Sequence, residues 1–191
     1  CIRDSHDMRH HLRTIMSYTQ QGKYQEMMEY LQEYASVITE EEKLICYCRN
    51  MAVDAVIHFY AGELRKKGIP FECDMMLPQN IGISDTDLCK IYGNLLENAV
   101  DAVKDLLTEN KPYVKMLTKV KNRKLLIEIS NPYSNEIQRR EKVFYSTKHE
   151  GFGIGTASVA EVVQRMGGYV VFNTEEGIFK VNIFLPVKTV Q

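Results

Sequence analysis

One stretch, Ser84 to Leu107 (SDTDLCKIYGNLLENAVDAVKDLL), constrains the fold more than any other. Ser84 with Asp87 three residues later is a helix-start pattern of the capping type. Leu88, Ile91, Leu95, Ala99, Ala102 and Leu106 then recur at spacings of three and four. At ~100° per residue they share one narrow face, as a helix laid on a sheet requires. Asp87, Asn94, Asn98 and Asp101 fall on one flank of that face, about 80–140° from its centre, while Lys90, Glu97 and Lys104 point away. Two amides and a carboxylate beside a buried face can hold a cation and phosphate oxygens, because amide oxygens are hard ligands that suit Mg²⁺. The same pattern also fits boundary residues of an ordinary core helix.

The remaining periodicity sorts the chain into elements around this helix. Met8, Leu12, Ile15 and Thr19, then Met27, Leu31, Tyr34 and Ile38, step four, three, four, the rhythm of helices that pair. Gly22-Lys23 supplies the turn of a helical hairpin. Such a hairpin buries too little to stand alone, so it is expected to dimerise as a four-helix bundle or to pack on the domain after it. Thr39-x-x-Glu42 is read as opening a third helix that runs to Lys67, with Leu44, Cys48, Met51, Ala55, Val56 and Phe59 as its buried side, stopped by Gly68 and Pro70. Strands are expected over Phe71–Leu77, Tyr113–Val120, Leu125–Ser130, Tyr169–Asn173 and Ile178–Pro186, with tight turns at 121–124 and 175–177. Residues 131–152 carry no sustained period, and Ile154–Met166 is helical up to Gly167-Gly168. The fold class is α+β: a two-layer sandwich of three helices on a mixed, largely antiparallel sheet over residues 40–191, preceded by the hairpin, 1–39.

Composition excludes several function classes. A net charge of −1 over 191 residues gives no electrostatic reason for a nucleic-acid partner or a membrane surface. Five cysteines form no CxxC pair, which suits a reduced, cytosolic setting, and Cys46-x-Cys48, expected on the third helix, reads as packing rather than metal. No apolar run approaches a membrane span. The chain opens on a helical pattern without an obvious cap, as expected of a fragment whose N-terminal part lies elsewhere.

Two further stretches carry chemistry. Ser146-Thr147-Lys148 leads into Gly151-Phe152-Gly153-Ile154-Gly155 and a helix. Glycines let the backbone approach a polyanion, and a helix start offers free N–H groups to phosphate. No Lys-Ser/Thr follows the last glycine, so this is not a Walker loop. The long irregular segment before it reads as a lid, with Lys148 placed to neutralise phosphate charge. At the N-terminus, Ser5-His6-Asp7-Met8-Arg9-His10-His11-Leu12 puts His6 and His10 opposite the Met8/Leu12/Ile15 seam and His11 toward it. An exposed imidazole beside a carboxylate is what a phosphoryl acceptor needs. His6 and His10 also have the i, i+4 spacing of zinc ligands, but Asp7 is a methylene shorter than the glutamate of such sites and no third ligand follows at a known spacing.

Together and in this order, HDMRHHL, NLLENAVDA and STKHEGFGIG resemble the phospho-acceptor box, N box and glycine-rich lid of the histidine kinases of the GHKL superfamily, and more narrowly the AgrC-like peptide-sensing kinases. The resemblance covers nearly the whole chain. It implies a Bergerat-type ATP-binding fold, with ATP and Mg²⁺ as cofactors. It further implies Asn98 as the Mg²⁺ ligand, Asn94 as the residue orienting the metal–phosphate group, Gly153 and Gly155 as the glycines that let the lid close over the triphosphate, with Gly151 also among the nucleotide-binding residues, His6 as acceptor and Asp7 as its base. Where superfamily members carry Asp-x-Gly, this chain has Asn131-Pro132-Tyr133; Asn131 can accept from the adenine amino group without charge assistance. Asp101, Phe152 and Ser5 depart from the family pattern as well. None of these departures removes a reacting group.

The function implied is the cytoplasmic catalytic core of a two-component sensor histidine kinase, a homodimer that autophosphorylates His6 and passes the phosphoryl group to an aspartate of a response regulator. Its membrane attachment would lie only in an N-terminal sensor region outside this sequence. The alternative is a GHKL-fold nucleotide-binding or phosphorelay module with weak or lost kinase activity.

Overall fold

The structure, a computed structural model, describes residues 13–34, 45–104, 106, 111–133, 138–140, 143–145 and 154–187. The chain divides into two compact units, Cys1–Leu44 and Ile45–Gln191. In the first, residues 13–20 (α1) and Tyr24–Tyr34 (α2) are helical about a turn at Gly22. Thr19 Oγ1 lies 3.3 Å from Met27 Sδ, and the Tyr18 and Tyr30 rings are 6.0 Å apart. The expected pairing of the two helices is thus present over the described turns.

The second unit is built on the helix the sequence singles out. Asp85–Val103 (α4) begins at the N-cap Ser84, whose hydroxyl accepts from Asp87 N at 3.1 Å. Its buried stripe is wider than expected: Tyr92, Leu96, Val100 and Val103 join Leu88, Ile91, Leu95 and Ala99, whereas Ala102 is half-buried. The helix ends at Val103 rather than Leu107. It connects Phe71–Met76 (β1) to Val114–Lys121 (β2), and these two strands pair in parallel, as a crossover helix demands. Lys124–Pro132 (β3), Tyr169–Glu175 (β6) and Ile178–Pro186 (β7) complete a five-stranded sheet in the order β1-β2-β3-β7-β6, antiparallel beyond β2. The β2–β3 turn has Asn122 and Arg123 at φ 51° and 57°, the primed-turn geometry whose twist matches that of the strands.

Strand alternation puts Val114, Met116, Leu125, Ile127, Ile129, Val181, Ile183 and Leu185 into the core. Outward-facing charges pair across strands, as in Lys115–Glu72 at 2.9 Å and Lys180–Glu128 at 2.9 Å. Tyr92 reaches across the layer from α4 to β2, its hydroxyl 3.0 Å from Thr118 Oγ1, with both side chains fully buried. The helix Ile154–Arg165 (α5) buries Val159, Val162 and Val163 and ends at Gly167-Gly168. Gly168 lies where β7 comes closest: a Cβ there would overlap Phe184 O and stand 2.6 Å from Leu185 Cδ2.

Three expectations are corrected. The third helix, Met51–Lys66 (α3), starts at the N-cap Asn50 and not at Thr39; residues 45–50 are non-helical, so Cys46 and Cys48 lie off the helix. Asp54 accepts from the N–H groups of Tyr47 and Cys48 at 2.8 and 3.0 Å, which folds that segment back over the first turn. The buried side of α3 is Val53, Ile57, Ala61 and Leu64, whereas Met51 and Phe59 are 79% and 63% exposed. Finally, β3 continues through Asn131 to Pro132, and the segment expected to be irregular contains Gln138–Arg140 (β4) paired with Val143–Tyr145 (β5). The Thr39–Leu44 part of the expected third helix lies outside the described residues.

Candidate functional site

Helical periodicity places Asn94 and Asn98 one turn apart on α4, and α5 brings Gly155 onto them. A Cβ at Gly155 would stand 2.9 Å from Asn98 Nδ2, 3.1 Å from Asn98 Oδ1 and 3.4 Å from Asn94 Oδ1. Only a residue without a side chain seats the first turn of α5 this close to the two amides. Asn94 donates from Nδ2 to Lys90 O at 2.7 Å, which fixes the amide and leaves its oxygen toward α5. Asn98 is half-buried and makes no hydrogen bond among the described residues. The site therefore offers amide oxygens, beside a helix start, to a hard cation and its anionic ligands.

Asn131 sits elsewhere, on β3 in register with Phe179, and only 1% of it is exposed. Its Nδ2 donates to Pro132 O at 2.9 Å, so Oδ1 is left as the acceptor that binding of an amino group requires. No hydrogen bond joins it to Asn94 or Asn98 among the described residues. Asp101 is engaged by Lys104 at 2.7 Å. Burial pushes the half-buried Tyr60 hydroxyl up, and the Glu97 and Asp101 carboxylates add to it, so α3 lines the acidic side of α4. His6, Asp7, Lys148, Gly151 and Gly153 lie outside the described residues. Among the described residues no group of three or more His, Cys, Asp or Glu is placed to hold a metal.

A further contact joins the same two helices at their other end. Arg165, in the last turn of α5, forms an ion pair with Asp87 in the first turn of α4. An Arg near a helix end is common enough that its sequence position carried no signal of its partner, 78 residues away.

The geometry accords with what the chain resembles. It is 25% identical, over an alignment that takes in 95% of its length, to the Sensor protein CitS of Bacillus subtilis (strain 168), and it spans 35% of that protein. Its backbone is similar to the catalytic domain of histidine kinase ThkA in a nucleotide-free form, with a TM-score of 0.55 at 18% identity over 72% of this chain and 92% of that one. It is also similar to full-length ShkA in complex with AMPPNP, with a TM-score of 0.56 at 19% identity over 73% of this chain and 30% of that one. At these identities the solved structures establish the fold, that of histidine kinase catalytic domains, as expected from the motifs. Residues 83–186, more than half of the sequence, match the GHKL domain, and the chain belongs to that family.

Proposed function

We propose that this chain is the catalytic core of a two-component sensor histidine kinase, which binds ATP with Mg²⁺, autophosphorylates His6 and passes the phosphoryl group to a response-regulator aspartate. The observation that carries the reading is the seat of Gly155 on the Asn98 and Asn94 amides, since a glycine-rich helix start against two amides is a fit for a metal-bound polyphosphate. Asn98 holds the metal, Asn94 orients it with its fixed oxygen, and Asn131 accepts from the adenine amino group through Oδ1. When bound, Mg²⁺ neutralises charge on the phosphate oxygens, the main demand of phosphoryl transfer. Lys148, Gly151 and Gly153 cover the phosphates, and Asp7 orients His6 and takes its proton.

In this reading, residues 1–39 form the dimerisation and phosphotransfer hairpin and 40–191 the ATP-binding domain. CitS is named a sensor protein and an AMPPNP complex exists for ShkA, which supports a sensor kinase and an adenine nucleotide for this chain. No helix among the described residues is long and apolar enough to cross a membrane. The likeness to a sensor protein supports the assignment of the chain to the cytoplasmic portion of a membrane-anchored sensor.

Incubation with γ-labelled ATP and Mg²⁺ tests the reading in wild type, His6→Ala, His10→Ala and Asn98→Ala. The expected result is an acid-labile, base-stable label that is lost in His6→Ala and Asn98→Ala and kept in His10→Ala. Loss in His10→Ala alone moves the acceptor by one turn. Nucleotide binding without label favours the second reading, a binding or phosphorelay module with weak or lost kinase activity, toward which the uncharged Asn131 points.

A further inference from the structure

We infer that Arg165 is a positioning residue for the nucleotide site, acting through Asp87 to hold α5 at the one seat on α4 that lets Gly155 meet Asn98; this rests on the nucleotide-binding reading above. Asp87 is itself fixed. Its Oδ2 accepts from Ser84 Oγ at 2.9 Å and its N–H donates to the same oxygen at 3.1 Å, while Oδ1 receives Arg165. The carboxylate is thus part of the cap of α4 and moves only with that helix.

Gly155 and Asn98 meet at one end of the helix pair, and Arg165 and Asp87 meet at the other. Ten steps along α5 and eleven back along α4 separate these contacts, about 15 and 16 Å at 1.5 Å per residue. The two helices therefore run antiparallel and are tied at both ends. The negative C-terminal end of α5 also faces the positive N-terminal end of α4, and the charge pair follows the same polarity.

Between the ties, α5 is held by Val159, Val162 and Val163, all buried. Apolar packing sets the distance between helices but is non-directional and resists swivel weakly. The contact at Gly155 is a stop, since it acts only by exclusion. The Asp87–Arg165 pair is a directional attraction, an ion pair at a fixed point of each helix. With the valines as pivot midway, a shift of about 1 Å at Arg165 returns a comparable shift at Gly155, where a methyl group would already stand 2.9 Å from Asn98 Nδ2. Arg165 is 56% exposed and Asp87 24%, so the pair is a partly solvated one whose effect is a few-fold, not a thousand-fold.

The test is titration of the full chain with Mg·ATP and, separately, with ATP in EDTA, for wild type, Arg165→Ala, Arg165→Lys, Asp87→Asn and the Arg165→Ala/Asp87→Asn double variant, alongside thermal melts. The expected result is a loss of Mg·ATP affinity of about threefold to fivefold in either single alanine or asparagine variant. The double variant is no weaker than the singles, Arg165→Lys recovers part of the loss, and affinity for metal-free ATP changes less than twofold. Wild-type affinity for Mg·ATP in all variants overturns the inference and leaves the nucleotide reading standing. Equal losses for both probes together with a lowered melting temperature overturn it too, since that is a structural role alone. A wild-type chain that binds no Mg·ATP overturns the nucleotide reading and the inference with it.

Discussion

Replacing Gly155 with alanine should separate the candidate site from the fold around it. The new Cβ would stand 2.9 Å from Asn98 Nδ2 and 3.1 Å from Asn98 Oδ1. An unstrained contact of this kind needs about 3.5 Å, so the amide must retreat by roughly 0.6 Å. That amide ends a rotatable side chain at a half-buried position, so the fold absorbs the change. Local overpacking of about 1 kcal/mol is offset by alanine's helix preference over glycine, about 0.5–1 kcal/mol. The net stability change is within about 1 kcal/mol, or roughly 2–4 °C in melting temperature for a chain of this size. Binding is less forgiving. Misplacing a positioning group by an ångström can cost on the order of a hundredfold, so about 0.6 Å at the proposed Mg²⁺ ligand should weaken Mg·ATP binding on the order of tenfold. Calorimetric titration and thermal melts of the same preparation check both halves. Unchanged affinity would refute the assignment of Asn98, and a stability loss above about 3 kcal/mol would refute the claim that the contact is yielding.

Gly168→Ala is the opposite case, because its Cβ would meet Phe184 O of the β7 backbone, which has no rotamer to yield; urea melts should show a loss of about 2–3 kcal/mol with little change in the affinity of the folded fraction. Tyr92→Phe leaves the fully buried Thr118 hydroxyl without its 3.0 Å partner and should cost about 1–3 kcal/mol by the same assay. Burial pushes the Cys48 thiol up to about 11 and Cys73 to about 12. Because these folded values lie above those of the unfolded chain, the protonated thiols' contribution is complete below about pH 8.5 and is lost as pH rises toward 11–12, so melts at pH 7 and pH 10 should show a decline that is smaller in Cys73→Ala. Asn131→Asp adds charge assistance toward an amino group but places a carboxylate at a position 1% exposed; nucleotide affinity should rise a few-fold while the free chain loses stability, measured by titration and melts together.

What was legible in the sequence was local. The α4 cap, the two asparagines one turn apart and the tight β2–β3 turn are each settled by residues within a few positions of one another, and each stands where the pattern puts it. The third helix failed for a non-local reason. Its sequence is apolar on more than one side, so the stripe through Met51, Ala55 and Phe59 and the stripe through Val53, Ile57 and Leu64 both keep helical spacing. The choice between them is made by the buried Asn50, which caps Val53 N at 2.9 Å while donating to Gln79 O and Asp85 Oδ1. Those partners lie 29 and 35 residues away, and no window along the chain contains them.

The same distinction divides the site. Asn94 and Asn98 are recognisable because a helix converts a spacing of four into one face, and metal–phosphate chemistry asks for oxygen ligands on that face. Gly155 is different: three odd-numbered glycines, Gly151, Gly153 and Gly155, are equivalent as a sequence pattern, and backbone permissiveness would explain any of them. Its particular role comes from the Asn98 amide occupying the space a side chain would need, a contact between residues 57 positions apart. That contact depends on the angle at which α5 crosses α4. In the proposal above, the angle in turn depends on the valine stripe and on Arg165 reaching Asp87. Since the last of these is set by the cap of α4, the residue that starts the central helix also helps decide whether the glycine at its far end meets the asparagines. A substitution at Ser84 should therefore be felt at the proposed nucleotide site about 20 Å along the helix, through Asp87 and α5 rather than through α4 itself.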